Sequence, residues 1–168
     1  MKEVLAAAPR ALVCAHTEEA PYLDGRKVPM RLAEMEERIR GGAPETGEDR
    51  RRRAEAASNQ FPVGRELTGG EVLPICGGIE IYHTPGHMPG HICLISRPDG
   101  ILITGDALNL AAGGALAGPN PVYTRDMAKA YDSLRQLRGR GVKLVVCYHG
   151  GVFRGEFDGA LDALLAAE

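Results

Sequence analysis

Five residues between positions 83 and 149 could bind a metal ion or move a proton: His83, His87, His91, Asp106 and His149. The first three lie four apart in His83-Thr84-Pro85-Gly86-His87-Met88-Pro89-Gly90-His91. On a helix, that spacing would align imidazoles on one face for zinc. Pro85, Gly86, Pro89 and Gly90 exclude such a helix, because proline removes a backbone donor and glycine costs chain entropy. The segment is instead expected to be a structured loop leaving a strand that ends near Tyr82. Asp106 follows Ile101-Leu102-Ile103 across Thr104-Gly105, and His149 directly follows the apolar run 143–148. Three potential ligands therefore each lie just past the end of an apolar strand. Residues beyond strand ends gather on one rim of an α/β sheet, the usual place for a site. Glycines beside all three would allow close backbone approach, and imidazole with carboxylate suits zinc, iron or manganese. Singly, each has a plainer reading: a loop histidine as a hydrogen-bonding residue, and an Asp after a strand as a turn former. The case for a site rests on the three together.

The elements that must position these residues follow from periodicity. Lys2 to Ala8 reads as a helix stopped by Pro9, and Ala11 to Ala15 as a short buried strand. Pro21 to Gly25 reads as a loop. Leu32, Met35 and Ile39 follow helical spacing from Met30 to Arg40, ended by Gly41-Gly42. Residues 41–60 are the least structured stretch by composition. Arg50 to Arg53 there have Glu48 and Asp49 four residues before Arg52 and Arg53, and Glu55 four after Arg51, the pattern of a solvated helix face. Ile79 to Tyr82 alternates like a strand. Ile92 to Ile95 and Ile101 to Ile103 flank Arg97-Pro98-Asp99-Gly100 as a hairpin. Met127, Ala130, Tyr131, Leu134 and Leu137 form one helical stripe, with Thr124 or Asp126 as N-cap. Lys143 to Tyr148 reads as a buried strand and Leu161 to Ala167 as a closing helix. The mixture predicts an α/β domain with helices flanking a mixed sheet.

Bulk properties narrow the function. The 168 residues allow a real core, and 44% hydrophobic with 25% charged content is ordinary for a globular chain. A net charge of −2 argues against a general nucleic-acid or anionic-membrane partner. No apolar run approaches the roughly 18–20 residues that span a bilayer, so a cytoplasmic location is expected. Cys14, Cys76, Cys93 and Cys147 are widely spaced with no CxxC pair, which predicts reduced thiols.

Thr84-Pro85-Gly86-His87-Met88-Pro89-Gly90-His91 resembles the TPGHTPGH motif of the metallo-β-lactamase superfamily, which includes glyoxalase II and lactonases. Thr104-Gly105-Asp106-Ala107-Leu108 is similar to its GD motif, and Tyr148-His149-Gly150-Gly151 to its final His-Gly motif. Ala15-His16 with Glu19 to Leu23 resembles the segment after the first metal motif. The resemblance implies an αβ/βα sandwich over 1–168 with metals at one edge. It implies His87 and His149 as ligands to two different metals and Asp106 as the bridge between them. It implies a binuclear site, zinc foremost with iron or manganese as alternatives. Activated water would then attack an ester, thioester, lactone or amide carbonyl of a small-molecule substrate. His91 and His83 are expected to orient the ligands from beside the site.

The chain departs from the family in one respect. It contains no two histidines separated by a single residue, whereas the family's HxHxDH motif supplies the remaining ligands. Three ligands over two metals leave about two protein ligands each, against three or four in tight sites. Three expectations follow. One is a hydrolase whose N-terminal strands and first motif are supplied by a complementing fragment. Another is a non-catalytic binding or regulatory module on a reduced frame. The third is a homo-oligomer that completes its sites across an interface.

Overall fold

The computed structural model describes residues 2–168, and the chain divides into two compact units with the boundary between Glu66 and Leu67. The first unit contains helices α1 (Lys2–Ala7), α2 (Ala20–Leu23), α3 (Met30–Arg40) and α4 (Gly47–Ser58). Its short strand β1 (Cys14–His16) pairs with β2 (Arg65–Leu67). The expected strand from Ala11 thus starts three residues later, and Leu12 is exposed rather than buried. The expected loop at Pro21 is the single-turn helix α2, because proline at the first turn of a helix forfeits only a donor that has no partner there.

The stretch 41–60 also holds more structure than its composition suggests. Thr46 and Asp49 form a reciprocal cap on α4: Asp49 N–H donates to Thr46 Oγ1 at 3.2 Å and Thr46 N–H to Asp49 Oδ2 at 2.8 Å. Arg38 of α3 donates to the same carboxylate at 2.6 Å, and with Thr46 holds Asp49 well below the usual carboxylate range. Asp49 is therefore occupied at the helix start and does not pair with Arg53, which binds Glu45 and Glu36 instead. The other two expected pairs form, Arg52–Glu48 at 2.6 Å and Arg51–Glu55 at 3.6 Å. These exposed pairs keep the arginines solvated and contribute little stability.

The second unit contains strands β3 (Val72–Leu73), β4 (Ile79–His83), β5 (Ile92–Ser96), β6 (Ile101–Ile103), β7 (Asn109–Leu110) and β8 (Leu116–Ala117). Helix α5 (Met127–Leu134) continues into a 3-10 turn at Arg135–Leu137, followed by β9 (Leu144–Cys147), β10 (Gly151–Phe153) and α6 (Phe157–Ala166). Six strands form one mixed sheet in the order β10-β9-β6-β5-β4-β3, with only β6 and β9 parallel. Two antiparallel steps, β4 to β5 and β5 to β6, return the chain to its starting direction. Hence β4, β6 and β9 all run the same way, and all three end on the same edge.

One face of this sheet carries the core. Ile95, Leu102 and Val145 sit in one register row across β5, β6 and β9, and α5 and α6 supply Leu134, Phe157 and Leu161 against the sheet residues. The N-cap of α5 is Asp126, whose side chain accepts from Lys129 N–H at 2.9 Å, so Thr124 is freed for another role. Helix α6 starts four residues earlier than its apolar run suggests, because Glu156 caps it with bonds from Asp158 and Gly159 N–H. Among the described residues no helix is long and apolar enough to cross a membrane. All four cysteines are free; Cys93 and Cys147 are buried, Cys76 is exposed and Cys14 lies between.

Leu102 is fully buried at the centre of this core. Leu102→Ala should lower unfolding free energy by about 2–5 kcal/mol, measured by chemical denaturation. A loss below about 1 kcal/mol would show that the sheet's packed face lies elsewhere.

Candidate metal site

The loop that follows β4 is closed on itself. Thr84 N–H donates to His91 O at 2.8 Å and His91 N–H to Met88 O at 3.2 Å, so no helix forms here, as its prolines and glycines require. Gly86 lies against α5: a Cβ there would be 2.2 Å from Ala130 N, and its φ of +134° excludes other residues as well. Asp126 N–H donates to Gly86 O at 3.0 Å and Arg125 N–H to His87 O at 3.4 Å. The start of α5 thereby fixes the backbone of His87, while Thr124 Oγ1 lies 3.4 Å from its Nδ1. His83 Nε2–H donates to Pro89 O at 2.8 Å, so His83 braces the loop that carries His87.

Asp106 is held from below by His91. At Gly105, φ is +54° and a Cβ would be 2.7 Å from His91 Nε2, so only glycine lets the turn pass over the imidazole. Asp106 N–H donates to that Nε2 at 3.2 Å, which leaves the ring proton on Nδ1, 2.8 Å from Thr84 Oγ1. Thr84 in turn reaches Cys93 Sγ at 3.3 Å, and Cys93 reaches Thr104 O at 3.5 Å. Burial, with a lesser push from His87, lowers the His91 pKa to about 4, and burial pushes the Cys93 thiol up to about 12. Both groups stay neutral, and the chain of bonds keeps its direction. The buried Thr84 was missed by the sequence reading; its position at a strand end inside the histidine loop was the available signal.

His149 completes the rim. Tyr148 N–H donates to Gly105 O at 3.3 Å, which extends the parallel β6–β9 pairing and sets the two turns side by side. Leu110 N–H donates to His149 O at 3.2 Å. Leu110, in the β7–β8 hairpin, therefore borders the turn that carries His149. The structure brings the three expected ligands together: His87 Nε2 lies 3.6 Å from Asp106 Oδ2, and His149 Nε2 lies 3.2 Å from Asp106 Oδ1. Each imidazole faces a different oxygen of one carboxylate. His149 is 77% exposed, which leaves that side open to solvent.

Residues 4–149 match the model of the metallo-beta-lactamase superfamily. The chain belongs to that superfamily. Among curated proteins, it is 33% identical over 95 residues to the uncharacterized protein YobT of Bacillus subtilis, covering 52% of this chain and 40% of YobT. Its fold is similar to a metallo-beta-lactamase family protein from Thermus thermophilus, with TM-score 0.64, 24% identity, and coverage of 94% of this chain and 52% of that one. It is also similar to an archaeal superfamily protein from Sulfolobus tokodaii (TM-score 0.62, 18% identity, 99% and 61% covered). TTHA1623, solved in a di-iron-bound form, superposes at TM-score 0.55 with 23% identity and 98% and 66% covered. The chain thus spans two-fifths to two-thirds of the length of these relatives.

Metal-dependent hydrolysis is general in the metallo-beta-lactamase superfamily, so the donor set can be tested against a metal. With bonds of 2.0–2.1 Å, two ligands of a tetrahedral zinc ion are about 3.3–3.5 Å apart. The His149–Asp106 and His87–Asp106 separations bracket that range, so each pair fits one ion in kind and in spacing. In number they fall short. Among the described residues no group of three His, Cys, Asp or Glu side chains is arranged to hold one ion.

The buried neutral His91 makes stability depend on pH. Its folded pKa lies near 4, below the ordinary value of 6.5, so its contribution is complete above about pH 6.5 and is lost as pH falls toward 4. A shift of that size corresponds to roughly 3 kcal/mol. Denaturation with chelator present should show this loss in the wild type and a flatter profile in His91→Gln. Parallel profiles would place the titration elsewhere.

Proposed function

We propose that His87, Asp106 and His149 are the metal ligands of a hydrolase of the ester, thioester or lactone type, with Asp106 as the bridge and zinc as the metal. The observation that carries the reading is the pairing of two imidazoles with opposite oxygens of one carboxylate. The di-iron form of TTHA1623 supports a two-metal arrangement and makes iron the first alternative. A bound divalent ion would supply Lewis acidity and lower the pKa of water toward about 7.

The residues of the chain would do the positioning. His87 is fixed by the start of α5, Asp106 by the His91 imidazole, and His149 by the neighbouring turn, so little reorganisation is needed on binding. With two protein donors per ion, binding should be weaker than in a closed site. That ligand count also favours a second reading, a module of the same fold that binds metal or a small molecule without turnover.

Zinc titration of the purified chain, with hydrolysis of p-nitrophenyl acetate and a simple thioester measured in parallel, tests both. Zinc should bind, Asp106→Asn should weaken it by about 10–100-fold or more, and any hydrolysis should be slow, chelator-sensitive and lost in the same variant. Binding without turnover would favour the second reading. Zinc affinity unchanged in both Asp106→Asn and His149→Ala would contradict the ligand assignment.

A further inference from the structure

A cavity of about 350 Å³ lies on the β3–β4 side of the second unit and contains none of the three rim ligands. Two arginines from separate turns line it, Arg97 from the β5–β6 hairpin and Arg140 from the segment before β9. Arg97 Nε donates to Glu80 Oε1 at 2.6 Å, and the Tyr82 hydroxyl donates to the other Glu80 oxygen. Both carboxylate oxygens are therefore engaged. Arg140 places its guanidinium 5.2 Å from the centre of the Tyr82 ring and donates from Nε to Gln136 O at 3.0 Å. In both arginines only Nε is engaged, and the terminal nitrogens have no acceptor among the described residues. Two positive groups against one negative leave the cavity with a residual charge of about +1.

We propose that this cavity is a binding site for a small phosphomonoester, its phosphate held by the terminal nitrogens of Arg97 and Arg140. A guanidinium fork presents two parallel donors. One such fork spans both oxygens of a carboxylate, whereas a phosphate offers three oxygens and can take two forks on different edges. The cation–π contact of Arg140 with the buried Tyr82 and its bond to Gln136 hold that fork in place at low entropic cost. The volume falls at the small end of ligand pockets, roughly 300–1,000 Å³, and leaves room for an organic group against Val72.

Thermal denaturation at matched ionic strength, with chelator present, tests this with glycerol 3-phosphate, inorganic phosphate and sodium chloride. Glycerol 3-phosphate should raise the Tm saturably, by about 3–6 °C at tenfold over its Kd, and should bind more tightly than inorganic phosphate. Arg140→Gln and Arg97→Gln should each weaken it about tenfold or more, while His149→Ala should leave it unchanged. Arg140 is exposed, so its replacement leaves the core intact and provides the cleaner of the two variants. A shift no greater than that of chloride, one that survives both arginine replacements, or one lost in His149→Ala would overturn the site. Equal or tighter binding of inorganic phosphate would overturn the ester.

Discussion

β6 and β9 lie side by side in the same direction, and β4 reaches that direction again through two antiparallel turns. Because of this, the loops after the three strands leave one edge together and bring His87, Asp106 and His149 into contact from positions far apart in sequence. The packed face beneath them keeps the edge in register. Ile95, Leu102 and Val145 form one buried row, and a slip of one residue in any of the three strands would turn its apolar side away from the helices.

The rim is built on neutral, buried groups. His91 stands between the loop that carries His87 and the turn that carries Asp106, and accepts a bond from the backbone of one while closing the other. Its low pKa follows from burial and keeps the imidazole neutral, and the bond from Asp106 N–H fixes the tautomer. A charged His91 would lose its acceptor nitrogen and release Asp106 N–H. Gly86 and Gly105 serve the same end by letting α5 and the imidazole come closer than a Cβ would permit. The geometry of the rim therefore depends on residues outside the His87, Asp106 and His149 group.

Much of this was legible in the sequence. Proline and glycine inside His83–His91 rule out a helix for physical reasons that tertiary packing does not override, and the apolar runs before Asp106 and His149 mark strand ends. The hairpin at Arg97–Gly100 was equally plain. What escaped was short or non-local. The two-residue strands β7 and β8 are too brief for any period to show. The helix at Ala20–Leu23 turns on proline being tolerated in a first turn, where its usual meaning is a break. Asp49 was assigned to Arg53 by spacing, but the cap at Thr46 and Arg38 of the neighbouring helix claimed it first. The arginine-lined cavity draws on four segments between residues 70 and 140, and no local pattern announces such a convergence.

One carboxylate addresses two imidazoles through different oxygens, while a third imidazole accepts from the backbone of the same residue behind it. Nitrogen-15 NMR of the histidine side chains during zinc addition tests it most directly. The Nε2 resonances of His87 and His149 should move on binding, while His91 keeps its proton on Nδ1 and its Nε2 as acceptor. Zinc-dependent movement of His91 Nε2, or a His149 that does not respond, would contradict it.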